Sequence, residues 1–360
     1  MIDLGVLHID WINEASVKNN KVDKILVEKV VRALLLLEGL SSSGLSFIFK
    51  GGTALMLLQG STKRLSIDID ILMPEKEELD KAFEKIVKDK RFTRFELQER
   101  LGNSNIEKVH YKFFFEPVYK TARAEEYVLL DILFEKPQYQ QIISQNIDST
   151  FVFQNGKPLQ VQVPGFDDIL GDKLTAFAPN TTGIPYEKDG QSRAMEIIKQ
   201  LYDIGNLVEQ MQNPIITATT FHAFAKTELG YRNIEGDTKL VLDDIFDTAL
   251  TISTKGQLGK GNMDALMQGI GQLKQYIFSE NYHIEKAVTH SARAAYTTTL
   301  IQAGEKTKQH FTDPMEIKDW NIANQQYNKL NKLRKSNPEA FYYWYQALTL
   351  LNLIEDIRHD

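Results

Sequence analysis

Two aspartates and a pair of glycines, near the front of the chain, are the residues best suited to chemistry. Within residues 47–72, FIFKGGTALMLLQGSTKRLSIDIDIL, Asp68 and Asp70 alternate with Ile67, Ile69 and Ile71. Side chains two apart on a strand point the same way, so burying the isoleucines projects both carboxylates from the other face. Like charges that close repel unless a cation lies between them, and hard oxygen ligands of this kind suit Mg2+ or Mn2+. Just ahead, residues 46–49 read as a short apolar strand, Gly51-Gly52 as a tight turn and residues 53–59 as a short helix. A helix N-terminus beside glycines attracts phosphate oxygens, and Arg64 and Ser66 offer a guanidinium and a hydroxyl to the same phosphates.

Bridging two metal ions takes a third acid, and the apolar run EYVLLDILFE at residues 126–135 offers Asp131. A carboxylate inside such a run costs roughly several kcal/mol of desolvation unless it is paired or ligates a metal. Two ions about 4 Å apart, clamped by Asp68, Asp70 and Asp131, activate an attacking hydroxyl and stabilise a leaving pyrophosphate. The chemistry predicted is nucleotidyl transfer from an NTP. Each residue also has a plainer reading. A lone Asp-x-Asp is most often a solvated strand end, and Asp131 alone reads as an edge-strand charge. The order glycine turn, acid pair, third acid favours the catalytic reading.

The same residues, Gly51-Gly52, then fifteen residues, then Asp68-Ile-Asp70, then Asp131 on a later strand, resemble the DNA polymerase β-type nucleotidyltransferase superfamily. Within it, Lys50-Gly-Gly-Thr-Ala-Leu and Arg64-Leu-Ser-Ile-Asp-Ile-Asp are similar to the AbiEii/AbiGii nucleotidyltransferase toxins. Asp167-Asp-Ile-Leu-Gly-Asp-Lys173-Leu-Thr-Ala resembles the lysine motif of those toxins, and Ile197-Ile-Lys-Gln-Leu-Tyr-Asp203-Ile their later helix. The resemblance covers roughly residues 50–207. It implies that Lys173 contacts nucleotide phosphates and that Asp203 supports the site from the helical half. It also implies nucleotide transfer to an acceptor such as the 3′ end of tRNA, and a cognate antitoxin as partner. Gly51-Gly52 stands where the superfamily often has Gly-Ser, so a hydroxyl contact to phosphate falls to Thr53 or is absent. Arg193-Ala stands where the toxins commonly carry Arg-Asp, which leaves the role of Arg193 open. Without the resemblance, Lys173 and Asp203 read as helix surface charges, and Lys199 with Asp203 as an i, i+4 pair.

Other chemistries find little support. The chain has no cysteine, which excludes thiol catalysis, disulfides and thiolate zinc sites. Its seven histidines are scattered without metal-ligand spacing, and neither a Walker phosphate loop nor an EF-hand loop is present. The net charge of −6 argues against general coating of nucleic acid and against a DNA partner, though not against local RNA contact. No apolar run reaches bilayer length, and the start MIDLGVLHID lacks a signal pattern, so no membrane association and a cytoplasmic location are expected.

The expected fold class is α+β, a polymerase β-like nucleotidyltransferase domain with a mixed sheet flanked by helices, then an all-helical domain. At 360 residues two domains are expected, placed at 1–165 and 166–360, with the NTP in the cleft between them. Residues 22–40 read as a helix ended by Gly39, and 75–88 as a surface helix. Strands are expected at 92–98, 108–116 and 126–134, with a hairpin connection at 99–105, and a further hairpin pairs 151–153 with 159–163 around Asn155-Gly156. From Pro164 the pattern is helical: 167–178, 192–209, 215–227, 238–253, 263–279, 283–307, 319–334 and 338–354. The loop 179–190 reads as a lid over the site or as a connector. Two C-terminal features, the basic run 329–335 and the aromatic run Phe341-Tyr-Tyr-Trp-Tyr345, fit RNA stacking, although core packing accounts for the aromatics more simply. Two other readings remain open. One is transfer to a small-molecule or protein hydroxyl, and the other a non-catalytic module that binds nucleotide or a partner.

Overall fold

The computed structural model describes residues 1–60, 64–98 and 108–354. The expected hairpin connection at 99–105 lies outside them. The chain forms two compact units. The first comprises Met1–Gly165 with Tyr276–Glu280, and the second comprises Phe166–Gln275 and the residues from Asn281 onward.

In the first unit the order is α1 (Ile9–Lys18), α2 (Lys24–Ser42), β1 (Ile48–Lys50), α3 (Gly51–Leu58), β2 (Ile69–Met73), α4 (Asp80–Asp89), β3 (Arg94–Gln98), β4 (Lys108–Phe115), β5 (Glu126–Phe134), β6 (Ile142–Asn146) and β7 (Gln160–Pro164). Five strands make one mixed sheet in the order β1-β2-β5-β4-β3, with β2 and β5 parallel and the other neighbours antiparallel. Alternation explains its two faces. Val128, Leu130 and Ile132 of β5 and Phe113 and Phe115 of β4 are buried on one side, while Tyr127, Leu129 and Asp131 are half-buried on the other. Phe83 of α4 fills the centre of the core face, edge-on to Phe95, Tyr111 and Phe113 at 5.0–5.3 Å.

Asp23 caps α2 by accepting from the Ile25 and Leu26 amides. The helix does not stop at Gly39 but continues to Ser42. Gly39 instead allows close approach to α4, since a β-carbon there would lie 2.9 Å from Ile86. The expected hairpin at 151–153 is also corrected, because β7 pairs with β6, Val163 opposite Ile143. Residues 151–155 serve the N-terminal segment: Phe151 O accepts from Trp11 Nε1 at 2.9 Å, and the Asn155 amide donates to Met1 O at 2.7 Å. Helix α1 was not expected from the pattern.

The second unit carries α5 (Phe166–Ala176), two-residue strands β8 (Glu187–Lys188) and β9 (Gln191–Ser192), α6 (Ala194–Gln210), α7 (Pro214–Tyr231), α8 (Lys239–Ser253), α9 (Met263–Leu273), α10 (Ile284–Ala303), α11 (Leu333–Ser336) and α12 (Pro338–Leu350). Helix α10, buried over most of its length, packs on α6, α8 and α12. The aromatic run Phe341–Tyr345 is core: all five side chains are buried, and Trp344 Nε1 donates to Ser253 Oγ at 2.8 Å. The long helix expected at 319–334 is replaced by a short 3-10 turn and α11, because the Asn331 side chain folds the loop back by bonding both the N–H and the C=O of Ile322. Loop 179–190 is tied within its own unit, with Asn180 and Thr181 on the Asp244 carboxylate and Tyr186 Oη accepting from the Asn262 amide. Among the described residues no helix is long and apolar enough to cross a membrane.

Phe83→Ala, which empties the centre of the first core, should lower unfolding stability by about 3–5 kcal/mol in a urea titration. Leu97→Ala, on the exposed flank of β3, should change it by about 0.5 kcal/mol or less.

Candidate active site

Sheet register assembles the site. Lys50 of β1 lies opposite Asp70 of β2, Asp70 opposite Asp131 of β5, Asp131 opposite His110 of β4, and His110 opposite Gln98 of β3. Directly opposed residues share a face, so one row across five strands carries a lysine, two carboxylates and a histidine. Asp131 is not an edge charge, because β5 is the central strand with β2 and β4 on either side.

Asp68 stands just before the strand rather than on it. It is exposed, and β2 begins at Ile69. Its backbone is held by Thr53, whose hydroxyl donates to Asp68 O at 2.6 Å. Thr53 is wholly buried, so the expected contact of its hydroxyl with phosphate is not what this geometry provides. The side chain anchors the acid pair to the start of α3 instead.

The glycines are required by close approach. Gly51 has φ +80°, and a β-carbon there would lie 2.1 Å from Asp70 Oδ2. At Gly52 a β-carbon would lie 2.7 Å from both an Arg64 terminal nitrogen and Ser66 Oγ. The turn therefore lays backbone against Asp70 on one side and against Arg64 and Ser66 on the other, at the N-terminus of α3. Arg64 is buried and donates from Nη1 to Leu65 O at 3.1 Å. Its backbone is fixed by an isolated bridge to Ile277 and by the Leu65 amide donating to Tyr276 O at 2.9 Å.

Burial pushes the Asp70 carboxyl up from its ordinary 3.8 to about 6. The neighbouring charge of Asp131 adds to the rise, as does that of Asp68, against opposition from Lys108 and Lys50. The donors fit a hard divalent cation in kind, being carboxylate oxygens whose mutual repulsion a cation would relieve. No three His, Asp or Glu side chains among the described residues converge tightly enough to chelate an ion unaided. Mg2+ commonly takes one or two carboxylates and completes its shell with substrate phosphates and water.

His110 was missed in the sequence. It is buried, and its Nδ1 lies 2.6 Å from Asp131 Oδ1. The signal available was its polar place in the alternation Lys108-Val-His110-Tyr-Lys112, but its partner depends on a register that one sequence does not reveal.

Within the helical unit, Lys173 of α5 and Asp203 of α6 are a buried ion pair rather than surface charges, Nζ to Oδ2 at 2.8 Å. Lys173 Nζ also donates to Gln200 Oε1 at 3.2 Å. Arg193 stands at the N-terminal cap of α6 and pairs with Glu196 at 3.5 Å.

Among solved structures, JHP933 from Helicobacter pylori is similar at 15% identity and a TM-score of 0.42, covering 77% of this chain and 92% of its own. An antigenic nucleotidyltransferase-like protein from Paracoccidioides brasiliensis is similar at 19% identity and a TM-score of 0.35, covering 58% and 87%. No curated protein matches the chain. The family described as nucleotidyl transferase AbiEii toxin, type IV toxin–antitoxin system, matches residues 35–329. That match takes in β2, β5, the glycine turn and the Lys173–Asp203 pair, and the chain belongs to the AbiEii nucleotidyltransferase toxin family.

Proposed function

We propose that the protein transfers a nucleotide from an NTP to the 3′ hydroxyl of an RNA, tRNA being the first candidate, with release of pyrophosphate. It would do so as a toxin restrained by a cognate antitoxin, in the cytoplasm, where both substrates are found. The observation that carries the reading is the row in which Asp70 and Asp131 stand side by side, with Asp68 close ahead and a glycine turn closing on them. Mg2+ or Mn2+, held by Asp68, Asp70 and Asp131, would supply Lewis-acid activation of the acceptor hydroxyl and charge neutralisation at the leaving pyrophosphate. Gly51, Gly52 and the first amides of α3 receive phosphate oxygens, and Arg64 and Ser66 add a charge-assisted and a neutral hydrogen bond there. Thr53 keeps Asp68 in register with that turn. Within the helical unit, Lys173, oriented by Asp203 and Gln200, offers an ammonium suited to a nucleotide phosphate.

Purified protein incubated with total tRNA, Mg2+ and each labelled NTP in turn should put label into RNA. Asp68→Asn and Asp70→Asn should each abolish it, on the order of a thousandfold or more. Label absent from RNA with every NTP would sink the RNA-acceptor reading.

Asp70 gives a pH signature. Its folded pKa of about 6 lies above its ordinary value, so the stability it contributes is complete below about pH 4 and lost as pH rises through 6. Asp70→Asn should therefore stabilise the protein at pH 8 without added metal, on the order of 1–3 kcal/mol. The gain should shrink as pH falls from 6 to 4, read by thermal melting at each pH, and a gain independent of pH would contradict the assignment.

Lys173→Met strands a buried carboxylate and should cost about 3–5 kcal/mol. Lys173→Met with Asp203→Leu should recover most of that loss and none of the transferase activity. Activity returning along with stability would show the pair to be structural only.

A further inference from the structure

We propose that His110 is a positioning residue of the transferase site, one that holds the Asp131 carboxylate in the orientation catalysis requires by donating its Nδ1–H to Oδ1. The inference rests on the nucleotidyl-transfer reading of the acid row.

An ionised carboxylate only accepts hydrogen bonds, so the proton of this 2.6 Å contact resides on Nδ1. The contact is built into the sheet, since His110 and Asp131 are directly opposed in the antiparallel β4–β5 ladder. On β4 the side chains facing the acid row are Lys108, His110 and Lys112, of which Lys108 is exposed, Lys112 half-buried and His110 only 6% exposed. A buried imidazole against a half-buried carboxylate is shielded from competing water, which strengthens the bond and narrows its geometry. A carboxylate has about four lone-pair sites, so one N–H orients Asp131 without saturating it. Asp131 is flanked by Asp70 of β2 on one side and by His110 of β4 on the other. Repulsion from Asp70 presses the carboxylate toward β4, where the His110 N–H receives it and fixes its orientation. Groups that orient a ligating carboxylate commonly cost 10–100-fold in metal affinity or activity when removed.

The test compares three variants of the full chain. His110→Asn can place an amide N–H near the position of Nδ1, His110→Gln places its amide nearer that of Nε2, and His110→Leu removes the donor. Each is measured for Mn2+ binding by the electron paramagnetic resonance of free Mn2+, for kcat and KM with NTP and tRNA, and for melting temperature. Leu and Gln should lose about 10–100-fold in both kcat and Mn2+ affinity, with KM for NTP within about threefold of wild type, and Asn should recover most of the loss. Equal impairment of Asn and Gln, or wild-type kcat and Mn2+ affinity in Gln, would overturn the proposal. The Asn–Gln contrast decides even if the Leu variant fails to fold. Asp131→Asn, run alongside, separates the two levels. An active Asp131→Asn overturns the reading of the acid row itself, whereas an inactive one beside a fully active His110→Gln overturns the role of His110 alone.

Discussion

Adjacent negative charge on the central strands is the constraint around which the first unit is arranged. Parallel pairing of β2 with β5 sets Asp70 directly beside Asp131, and Asp68 adds a third charge one residue before the strand. A fold selected only for stability would place an apolar or neutral residue at one of these positions. Here the neighbouring strands answer the repulsion with basic groups, Lys50 opposite Asp70 from β1, Lys108 from β4, and His110 on Asp131. These offset part of the repulsion, and Asp70 still retains its proton more tightly than an ordinary aspartate. Burial is the larger cause of that rise and the repulsion from Asp131 the next, and a cation seated at the row would relieve both.

Such a row needs a backing that does not yield. The opposite face of the sheet is packed by Phe83, Phe113, Phe115, Val128, Leu130 and Ile132, with α2 and α4 laid across it. Close-packed aromatic contacts tolerate little displacement, so strand register, and with it the spacing of the carboxylates, is held from behind. The glycine turn extends the same logic to the front. With no β-carbon at Gly51 the backbone approaches the Asp70 carboxylate, and the Thr53 hydroxyl locks the far end of the turn to Asp68.

What could be read in the sequence was local. The short range from the glycine turn to Asp70 announced its parts through residue type and spacing alone, and β5 was read over Glu126 to Phe134 because it is an apolar run of strand length broken by a single acid. Failures came where distant contacts decide. Residues 151–153 have the composition of a strand, but Phe151 is claimed by Trp11 and the N-terminal segment, and β6 takes the place beside β7. Gly39 looked like a helix stop and is a contact between helices. His110 carried no spacing signal, since its partner lies on another strand and the pairing emerges only from the register of β4 with β5.

The two units show a common device, a buried basic side chain paired with an acid. In one, His110 meets Asp131, and in the other, Lys173 meets Asp203 with Gln200 beside it. Buried ion pairs are weak contributors to stability, because desolvation of both charges consumes most of the Coulombic gain, and apolar replacements of similar volume often stabilise. Along α5 and α6 the neighbours Leu170, Leu174, Leu201 and Ile204 are all buried, so Lys173 and Asp203 stand on helix segments that are otherwise apolar core. What an apolar pair cannot supply is a fixed cation with donors to spare. An ammonium has three N–H groups, and Asp203 and Gln200 account for two of them. A cation held in that way would lose little further entropy on meeting an anionic oxygen, an advantage that a flexible surface lysine lacks.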